Sequence, residues 1–407
     1  MNKNIKLAVA GAVLALSASA NAGIIIPAGD WTVDIGGNVN TFYTHTKYSG
    51  AAEAENTNTI QTGLLPTALG IGAKTRQNDL DVAFQFSLFT GVNASSGDQL
   101  NGARVGENGG LGYNSLNIRQ AYLSVGDKSW GTFKAGRDLG VYGSDAILSD
   151  MTLLGVGSNG GATGSSTLGR IGSGYIYADW LAQMTYTTPN FSGFEAAASV
   201  HETLGSIDNS NLGFSGKASY SFAANDVNGK IWVGGTQRKL QTPTSITTVT
   251  LSSGDLLAVA NSGIAAATEY DARGYEVGGK FGFAGAEFVG YYYNGQNMDA
   301  SVGIAPSTSQ ATTFTERDNS GGYVQATYVL PIKTKVGASW GKNLREKVGA
   351  ELRDGEREAW IVGAYHPLTK HLNLVAEYNH LTTEALTGAS NFEGKAKTMS
   401  LGAILFF

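Results

Sequence analysis

Apolar and polar residues alternate with a period of two along most of the chain. Between residues 80 and 88, the even-numbered positions are Leu, Val or Phe, and the odd-numbered positions are Asp, Ala, Gln and Ser. Residues 31–40, 214–222 and 372–379 show a similar alternation. Because successive side chains of a strand point to opposite faces of its sheet, each segment is predicted to be a β-strand with one dry face and one wet face.

The same pattern predicts sixteen strands in all. Their centres lie near Val33, Ile71, Phe84, Ala121, Phe133, Ala182, Ala197, Ala218, Trp232, Gly278, Phe288, Ala326, Ala338, Val362, Val375 and Leu401. The dry rows end in aromatic residues, as the aromatic girdles of a membrane barrel do: Trp31, Tyr220, Tyr292, Tyr328 and Tyr378.

The connections between these strands alternate in length. Short connections include residues 76–79, 126–130, 189–192, 284–285, 331–334 and 367–371. Long connections include residues 45–65, 91–114, 137–173, 238–273, 294–321, 343–357 and 382–396. Short turns on one side and long loops on the other are typical of a barrel that crosses an outer membrane. The predicted fold is therefore all-β, a 16-stranded antiparallel transmembrane β-barrel.

A soluble β-sandwich is the alternative fold, since its strands also alternate. Its connections would not sort by length, and a chain of this size would divide into two or more domains. No linker or shift in composition marks such a division. In lipid, by contrast, the sheet must close, because an unpaired backbone edge is not tolerated there.

The first residues predict export. Lys3 and Lys6 precede an apolar run over residues 7–16, and small residues follow up to Ala20-Asn21-Ala22. This is the pattern of a secretory signal peptide cleaved after Ala22. The run is shorter than the ~20 apolar residues of a spanning helix. We therefore expect residues 1–22 to be the signal peptide and residues 23–407 to be an outer-membrane barrel.

Composition narrows the possible chemistry. There is no cysteine, and the formal charge of −5 is dispersed, so neither a disulfide nor a nucleic-acid surface is predicted. The five histidines lie outside any recognisable nucleophile or metalloprotease motif, so an enzyme is not expected: His45, His201, His366, His371 and His380. No metal site, cofactor or calcium-loop spacing is predicted either.

One long connection, residues 137–173, differs from the others. Between Asp138 and Gly169 it contains no Lys, Arg or Glu, but it contains Asp145 and Asp150 among apolar residues and glycines. A loop this apolar is poorly suited to open water, and long loops in compact proteins are usually functional. We expect it to fold inward and narrow a water-filled tube.

Several segments, taken in order, carry a family resemblance. These are Arg119-Gln-Ala-Tyr-Leu, Trp130-Gly-Thr-Phe-Lys-Ala-Gly-Arg-Asp, Tyr186-Thr-Thr-Pro-Asn-Phe-Ser-Gly-Phe and Tyr365-His-Pro-Leu-Thr-Lys, together with the terminal Phe407. The sequence resembles the general diffusion porins of Gram-negative bacteria. The resemblance implies a homotrimer in outer-membrane lipid and lipopolysaccharide, with the third external loop folded into a pore for small hydrophilic solutes and ions. Residues 137–173 are third among the long connections.

The residues predicted to form the pore constriction are mostly charged. The basic wall residues Lys74, Arg119 and Lys134 are expected to point inward, opposite loop acids and a constriction aromatic; the full set is Lys74, Arg119, Lys134, Arg137, Asp138, Tyr142, Asp145, Asp150 and Asp179. For each charge, the alternative is a solvated position away from the narrowing. The acids outnumber the counted wall bases, which suggests a weak cation preference.

At two positions the sequence departs from the family pattern, and both departures reduce the number of basic residues on the pore wall. Ala68 stands where the second-strand arginine is expected, and no base stands near Ala178 for the sixth strand. The alternative function is a substrate-specific channel for sugars or small aromatic or organic acids. Its mark would be an aromatic track, for which Tyr175, Tyr177, Tyr291 and Tyr293 are the candidates.

Overall fold

The computed structural model describes residues 23–52, 54–92, 116–158, 166–203, 211–241, 246–250, 256–260, 269–298, 316–349, 351–384 and 393–407. The predicted signal peptide, residues 1–22, lies outside this part. The first ten strands are β1 (Ile24–Ala28), β2 (Trp31–Gly50), β3 (Thr57–Gln61), β4 (Thr67–Gln77), β5 (Leu80–Thr90), β6 (Asn117–Asp127), β7 (Gly131–Leu139), β8 (Trp180–Thr187), β9 (Phe194–Glu202) and β10 (Leu212–Ala224).

The remaining strands are β11 (Val227–Gln241), β12 (Ile246–Thr250), β13 (Leu256–Ala260), β14 (Glu269–Phe283), β15 (Ala286–Gln296), β16 (Asp318–Val329), β17 (Lys335–Arg345), β18 (Gly355–Pro367), β19 (Leu372–Glu384) and β20 (Glu393–Phe406). A short α-helix (Ser144–Ser149) and a 3₁₀-helix (Met151–Leu154) lie between β7 and β8. Among the described residues, no helix has the length and apolar character to span a membrane.

Sixteen strands of the described chain form a closed antiparallel ring. They follow one another in chain order, and β2 closes the ring by pairing with β20 on one side and β4 on the other. The short strands β1 and β3 add to β2, and β12 pairs only with β13 in a separate hairpin. All sixteen predicted strand centres fall within strands of the ring. The predicted 16-stranded antiparallel barrel is confirmed.

The two faces of the ring differ as the alternation predicts. In β5, Phe84 and Phe86 are exposed, whereas Gln85 and Ser87 are buried. The predicted girdle residues Tyr220, Tyr292 and Tyr328 are also exposed. A polar row inside and an apolar row outside is the arrangement of a barrel surrounded by hydrocarbon. We refer to these two rows as the buried row and the exposed row.

Several strands continue past their predicted ends on the long-loop side. β2 extends to Gly50 and β11 to Gln241, both inside stretches predicted to be loops. The third long connection is also displaced, since β7 ends at Leu139 and β8 begins at Trp180, whereas the prediction was residues 137–173. Backbone hydrogen bonds to the neighbouring strands stabilise these longer strands. The alternation of apolar and polar residues within one strand does not predict how far such pairing extends.

Candidate functional site

The connection between β7 and β8 is described over residues 140–158 and 166–179, and these parts pack mostly on one side of the ring. Tyr142, Ala146 and Tyr175 belong to a buried apolar cluster with the buried row of β11 and β14–β16, where the contributing wall residues are Trp232, Ala272, Val289, Tyr291, Tyr293 and Tyr323. Met151 and Val156 belong to a second cluster with β2 and β18–β20, through Phe42, Ile361, Tyr365, Val375, Ile404 and Phe406. The apolar character of this segment is thus matched by apolar residues on the wall. We call residues 140–158 and 166–179 the packed segment.

Two wall carboxylates accept hydrogen bonds from the backbone of the packed segment. Glu377 on β19 accepts from the amides of Val156 and Gly157, each at 2.8 Å, and from the Tyr365 hydroxyl at 2.6 Å. A side chain at Gly155 would place its Cβ 2.0 Å from Glu377 Oε1, so only glycine permits this approach. These bonds satisfy backbone amides that the fold buries.

Glu276 on β14 plays the same part nearer the start of the packed segment. It accepts from the Gly143 amide at 3.1 and 3.2 Å and from the Tyr291 hydroxyl at 2.8 Å. The segment is therefore held at two well-separated points by carboxylates of the wall.

Arg170 fixes the returning part of the packed segment. Its buried guanidinium donates to the Ser339 hydroxyl at 2.5 Å and to the carbonyls of Ser173 and Ala359 at 3.1 and 3.2 Å. Burial lowers the pKa of Arg170, and the nearby Asp150 carboxylate opposes that shift. Arg170 therefore joins the segment to β17 and β18.

Asp150 has a structural position inside the packed segment. Its carboxylate accepts from the Thr152 amide at 2.9 Å, at the start of the 3₁₀-helix, and from the Tyr175 hydroxyl at 2.8 Å. Burial and the Asp150 charge raise the pKa of Tyr175 well above its usual range, so this tyrosine remains a donor. Asp150 is thus buried within the segment and does not border the cavity described next.

A cavity of about 320 Å³ lies against the other side of the ring, β2 and β4–β10. Leu139, Gly140, Val141, Ser144 and Leu148 border it from β7 and the packed segment. Polar and charged wall side chains border it as well: Thr32, Asp34, Lys74, Gln85, Tyr122, Ser124, Lys134, Asp138, Thr185, Glu195 and Lys217.

Asp145 is held between two lysines beside this cavity. Lys217 Nζ donates to Asp145 Oδ2 at 2.8 Å and to the Ser144 hydroxyl at 2.9 Å, and Lys230 donates to Asp145 Oδ1. Burial by itself would raise the pKa of Asp145, but the charges of Lys217 and Lys230 outweigh burial and lower it. Asp145 is therefore ionised at neutral pH.

Lys134 and Asp138 form a second ion pair at the cavity. The Gln120 side chain donates to Asp138 Oδ1 at 2.9 Å, and the Lys134 ammonium lies 5.2 Å from the centroid of the Tyr122 ring. Both charged residues are on the buried row of β7. Lys134 is on the inner row as expected, but Asp138, which was expected to be a loop acid opposite the wall bases, lies on the same strand and row as Lys134.

The Arg119 side chain points inward, although regular alternation along β6 would place it on the exposed row. Gln120 is buried with its neighbours on the same row, so regular alternation would put Arg119 on the exposed row. The β5–β6 register instead pairs Ser87 with Gln120 and Leu88 with Ile118, so Arg119 is the extra residue of a β-bulge. Its guanidinium lies 5.0 Å from the centroid of the fully buried Phe89 ring. Bulges re-aim side chains in this way.

The structure contradicts the prediction for Arg137. This residue is exposed and shares a row with Phe133, whereas Asp138 is buried. Neighbouring residues of a regular strand point to opposite faces, so Arg137 and Asp138 cannot both face the cavity. Lys74, in contrast, borders the cavity from β4, as predicted.

Two other predicted residues lie away from the cavity. Tyr142 is buried in the first apolar cluster, where its hydroxyl donates to the Tyr275 carbonyl at 3.5 Å. Asp179 has a left-handed backbone (φ 57°) and accepts from the Trp180 amide at 2.6 Å. Burial raises the pKa of Asp179, although the positive charges of Arg238, Arg137 and Arg119 oppose that shift.

Sequence reasoning missed four charged residues at or beside the cavity: Asp34, Glu195, Lys217 and Lys230. Three of them border the cavity directly, and Lys230 reaches Asp145 from the next strand. A signal was present, since each falls among the small and polar residues that alternate with an apolar row. The alternation indicates on which face of the strand each residue lies, but not its position along the barrel axis.

Comparison with solved structures supports the fold. The outer-membrane channel DcaP of Acinetobacter baumannii matches with a TM-score of 0.62 at 13% identity, over 95% of this chain and 100% of that one. An anion-selective porin from Comamonas acidovorans gives 0.60 at 14%, over 93% and 100%. The trimer form of OmpT, an outer membrane protein of Vibrio cholerae, gives 0.56 at 16%, over 93% and 99%. At these identities the likeness shows the fold alone.

The family follows from a sequence model. A model described as Gram-negative porin matches residues 7–386, so the chain belongs to the Gram-negative porin family. No match was found among curated proteins. Family and barrel together indicate an outer-membrane channel rather than an enzyme.

Proposed function

We propose that this channel allows passive diffusion of small hydrophilic solutes and ions, and that the packed segment lies inside the barrel and narrows it. The observation that carries the proposal is the cavity bordered by charged wall residues on one side and by residues 139–148 on the other. A wet passage beside a dry, packed loop is what a size-limiting pore requires.

The charges at the cavity support weak ion selectivity. Among the described residues that border it, three are acidic and three are basic, so the two signs balance: Asp34, Asp138, Glu195, Lys74, Lys134 and Lys217. The cation preference suggested by the sequence also counted Asp150 and Asp179, which lie elsewhere. We therefore expect only a small departure from equal K⁺ and Cl⁻ permeability.

The site of action and the assembly belong to the same proposal. Export by the signal peptide, with cleavage after Ala22, would deliver the barrel to outer-membrane lipid and lipopolysaccharide. A homotrimer is supported by the family and by the trimer form of the Vibrio cholerae protein with the same fold. Each protomer would hold its own pore.

A substrate-specific channel is the second candidate. Its predicted aromatic track was Tyr175, Tyr177, Tyr291 and Tyr293. Three of these are buried in the first apolar cluster, and Tyr177 is partly buried and packs against it. Rings packed in this way have no free face for a sugar or an aromatic acid. Their burial favours general diffusion.

Single-channel recording on the purified protein tests the proposal. We expect stepwise conductance, closing in groups of three, with a reversal potential near zero in a KCl gradient. Block by micromolar concentrations of one sugar or organic acid would favour the specific channel. An electrically silent bilayer would refute both, and cleavage of an ester or peptide by the same sample would reopen the enzyme class.

A further inference from the structure

The exposed row of β20 changes from apolar to charged toward the long-loop end of the barrel. Leu405, Leu401 and Met399 are exposed along this row, and Lys397 is the next exposed residue after them. Lys397 and Phe407 are ten positions apart, which is about 33 Å along a strand and about 25 Å along the axis of a barrel whose strands tilt by about 35–45°. The apolar band of a transmembrane barrel is about 25 Å tall. Lys397 therefore lies at the outer border of that band.

Aromatic residues mark the same border on the neighbouring strands. Tyr43 on β2 and Trp360 on β18 are exposed, and Tyr378 on β19 has its ring centroid 5.2 Å from that of Trp360. The registers set Tyr378 opposite Met399 and Tyr43 opposite Leu401. Tyrosine and tryptophan concentrate where hydrocarbon meets water, at the level of the lipid headgroups. The exposed-row positions that follow these residues toward the long loops therefore lie among headgroups.

Two lysines meet directly at this border. The register of β2 with β20 sets Lys47 opposite Lys397, and both residues are exposed. Residues directly opposite on one face of an antiparallel pair have β carbons about 4.5–5.5 Å apart, and like charges placed in this way are destabilising. On the other side of Lys397 the register sets His380, whose ring packs edge-on against Trp360 at 5.5 Å between centroids. We call Lys47 and Lys397 the lysine pair.

No acid in the described part of the chain forms an ion pair with either member of the lysine pair. Other lysines near this end of the exposed row do have acidic partners. Lys395 Nζ lies 2.5 Å from Glu393 Oε1, and Lys342 Nζ lies 2.6 Å from Glu356 Oε2. The two adjacent ammonium groups of the lysine pair are thus left without a counter-charge from the protein at the level where headgroups begin. An anion from outside the chain would relieve their repulsion.

We propose that the lysine pair binds a phosphate group of lipopolysaccharide on the outer wall of the barrel. The inference rests on the outer-membrane location in the proposed function. A phosphate group supplies negative charge and several acceptor oxygens, and lysine binds phosphate as a point charge. The long lysine side chains can lie along the apolar wall while their ammonium groups reach the headgroups. The pair carries a charge of +2, so binding needs no added divalent cation.

Thermal denaturation of refolded protein in detergent, titrated with lipid A in the presence of EDTA, tests the inference. Lipid A is the phosphorylated membrane anchor of lipopolysaccharide. We expect bisphosphorylated lipid A to raise the midpoint of the parent protein, because a ligand that binds the folded state stabilises it. The Lys47→Gln/Lys397→Gln variant should need about 10- to 30-fold more lipid A for the same rise. If the double variant does not refold, each single variant is compared with the parent, with an expected shift of about fivefold.

Two further variants serve as matched controls. Lys47→Arg/Lys397→Arg keeps both charges and should bind lipid A about as well as the parent protein does. Lys128→Gln/Lys370→Gln also removes two exposed lysines, but from short turns at the opposite end of the barrel. We expect this variant to bind lipid A like the parent.

Several outcomes would overturn the inference. Equal midpoint shifts in the parent and in the Lys47→Gln/Lys397→Gln variant would show that the lysine pair is not the site. An equal shift with lipid A that lacks phosphate would exclude phosphate as the group recognised, and an equal shift with inorganic phosphate alone would indicate a site for a free anion only. Loss of the trimer in the variant, with unchanged dependence on lipid A, would place the lysine pair between subunits.

Lipid binding and conduction are measured separately, so the two proposals can fail separately. If the parent conducts but its midpoint shift does not depend on phosphate or on the lysine pair, only the lipid site fails. If the parent binds lipid A through the lysine pair but leaves bilayers electrically silent, the channel fails and the lipid site stands.

Discussion

The two halves of the buried row differ in what they contact. The half formed by β11 and β14–β20 is rich in Tyr, Trp and aliphatic residues and is covered by the packed segment. The half formed by β4–β10 contains lysines, acids and small polar residues and borders the cavity. The inner face of one barrel therefore contains a dry interface and a wet surface side by side. Under the proposed function, the passage would lie toward the half that borders the cavity.

The packed segment and the wall that it contacts are complementary, since both present apolar side chains at their interface. An apolar loop inside a uniformly polar barrel would lose the contacts that hold it. Conversely, aromatic side chains on the inner row would be exposed to water without the loop. The polar bonds between the two, through Glu276, Glu377 and Arg170, fix the register of the segment on the wall.

The largest expected effect is loss of packing in the dry half. Trp232 is buried over Gly278, and its ring lies 6.5 Å from that of Tyr291. Trp232→Ala should destabilise the protein by about 3–5 kcal/mol, measured by denaturation in detergent. Trp232→Phe keeps most of the contact and is the control. A similar loss from Tyr122→Ala, in the wet half, would contradict the division.

The second effect concerns the bonds that hold the packed segment. Glu377→Ala leaves the Val156 and Gly157 amides and the Tyr365 hydroxyl without their acceptor, which should cost about 3 kcal/mol. We expect larger and noisier single-channel conductance, because this end of the segment is released. Glu377→Gln retains a carbonyl acceptor and should lie between the two. Unchanged conductance in Glu377→Ala would indicate that the segment does not limit the passage.

The third effect is electrostatic and depends on pH. Because the folded-state pKa of Asp145 is lowered, its pairing with Lys217 and Lys230 contributes fully above the unfolded value of about 3.9 and is lost as pH falls through the lower folded value. The difference in conductance between the parent protein and Asp145→Asn should therefore be steady from pH 7 to about 4 and disappear only below that. Asp145→Asn should shift the reversal potential toward Cl⁻ at neutral pH. A transition near pH 6 in the parent protein, absent in Asp145→Asn, would contradict this assignment.

The smallest effect distinguishes the two rows of one strand. Lys134→Gln should shift the reversal potential toward K⁺, because Lys134 borders the cavity. Arg137→Gln, three residues further along β7, should leave it nearly unchanged, because Arg137 is on the exposed row. Equal shifts for the two variants would mean that the assignment of rows in β7 is wrong.

The predictions from sequence succeeded where a local rule decides and failed where pairing decides. Period-two alternation located all sixteen strands, and the small and polar rows contained every cavity lysine. Arg119 shows the limit, because a register shift between β5 and β6, not the parity of β6, directs its side chain. Arg137 shows another, since the strand end was placed too early and the residue was read as part of the loop.

The sequence alone determined the barrel, its strand number and the two faces of each strand, because side-chain direction in a strand depends only on position along it. The apolar composition of residues 138–169 also indicated a segment that would not lie in open water. Only the tertiary structure decided which half of the wall covers it, which acids meet Lys217 and Lys230, and which charges remain at the cavity. Those outcomes depend on contacts between residues far apart in the chain, whose relative heights are set by ladder register and loop path.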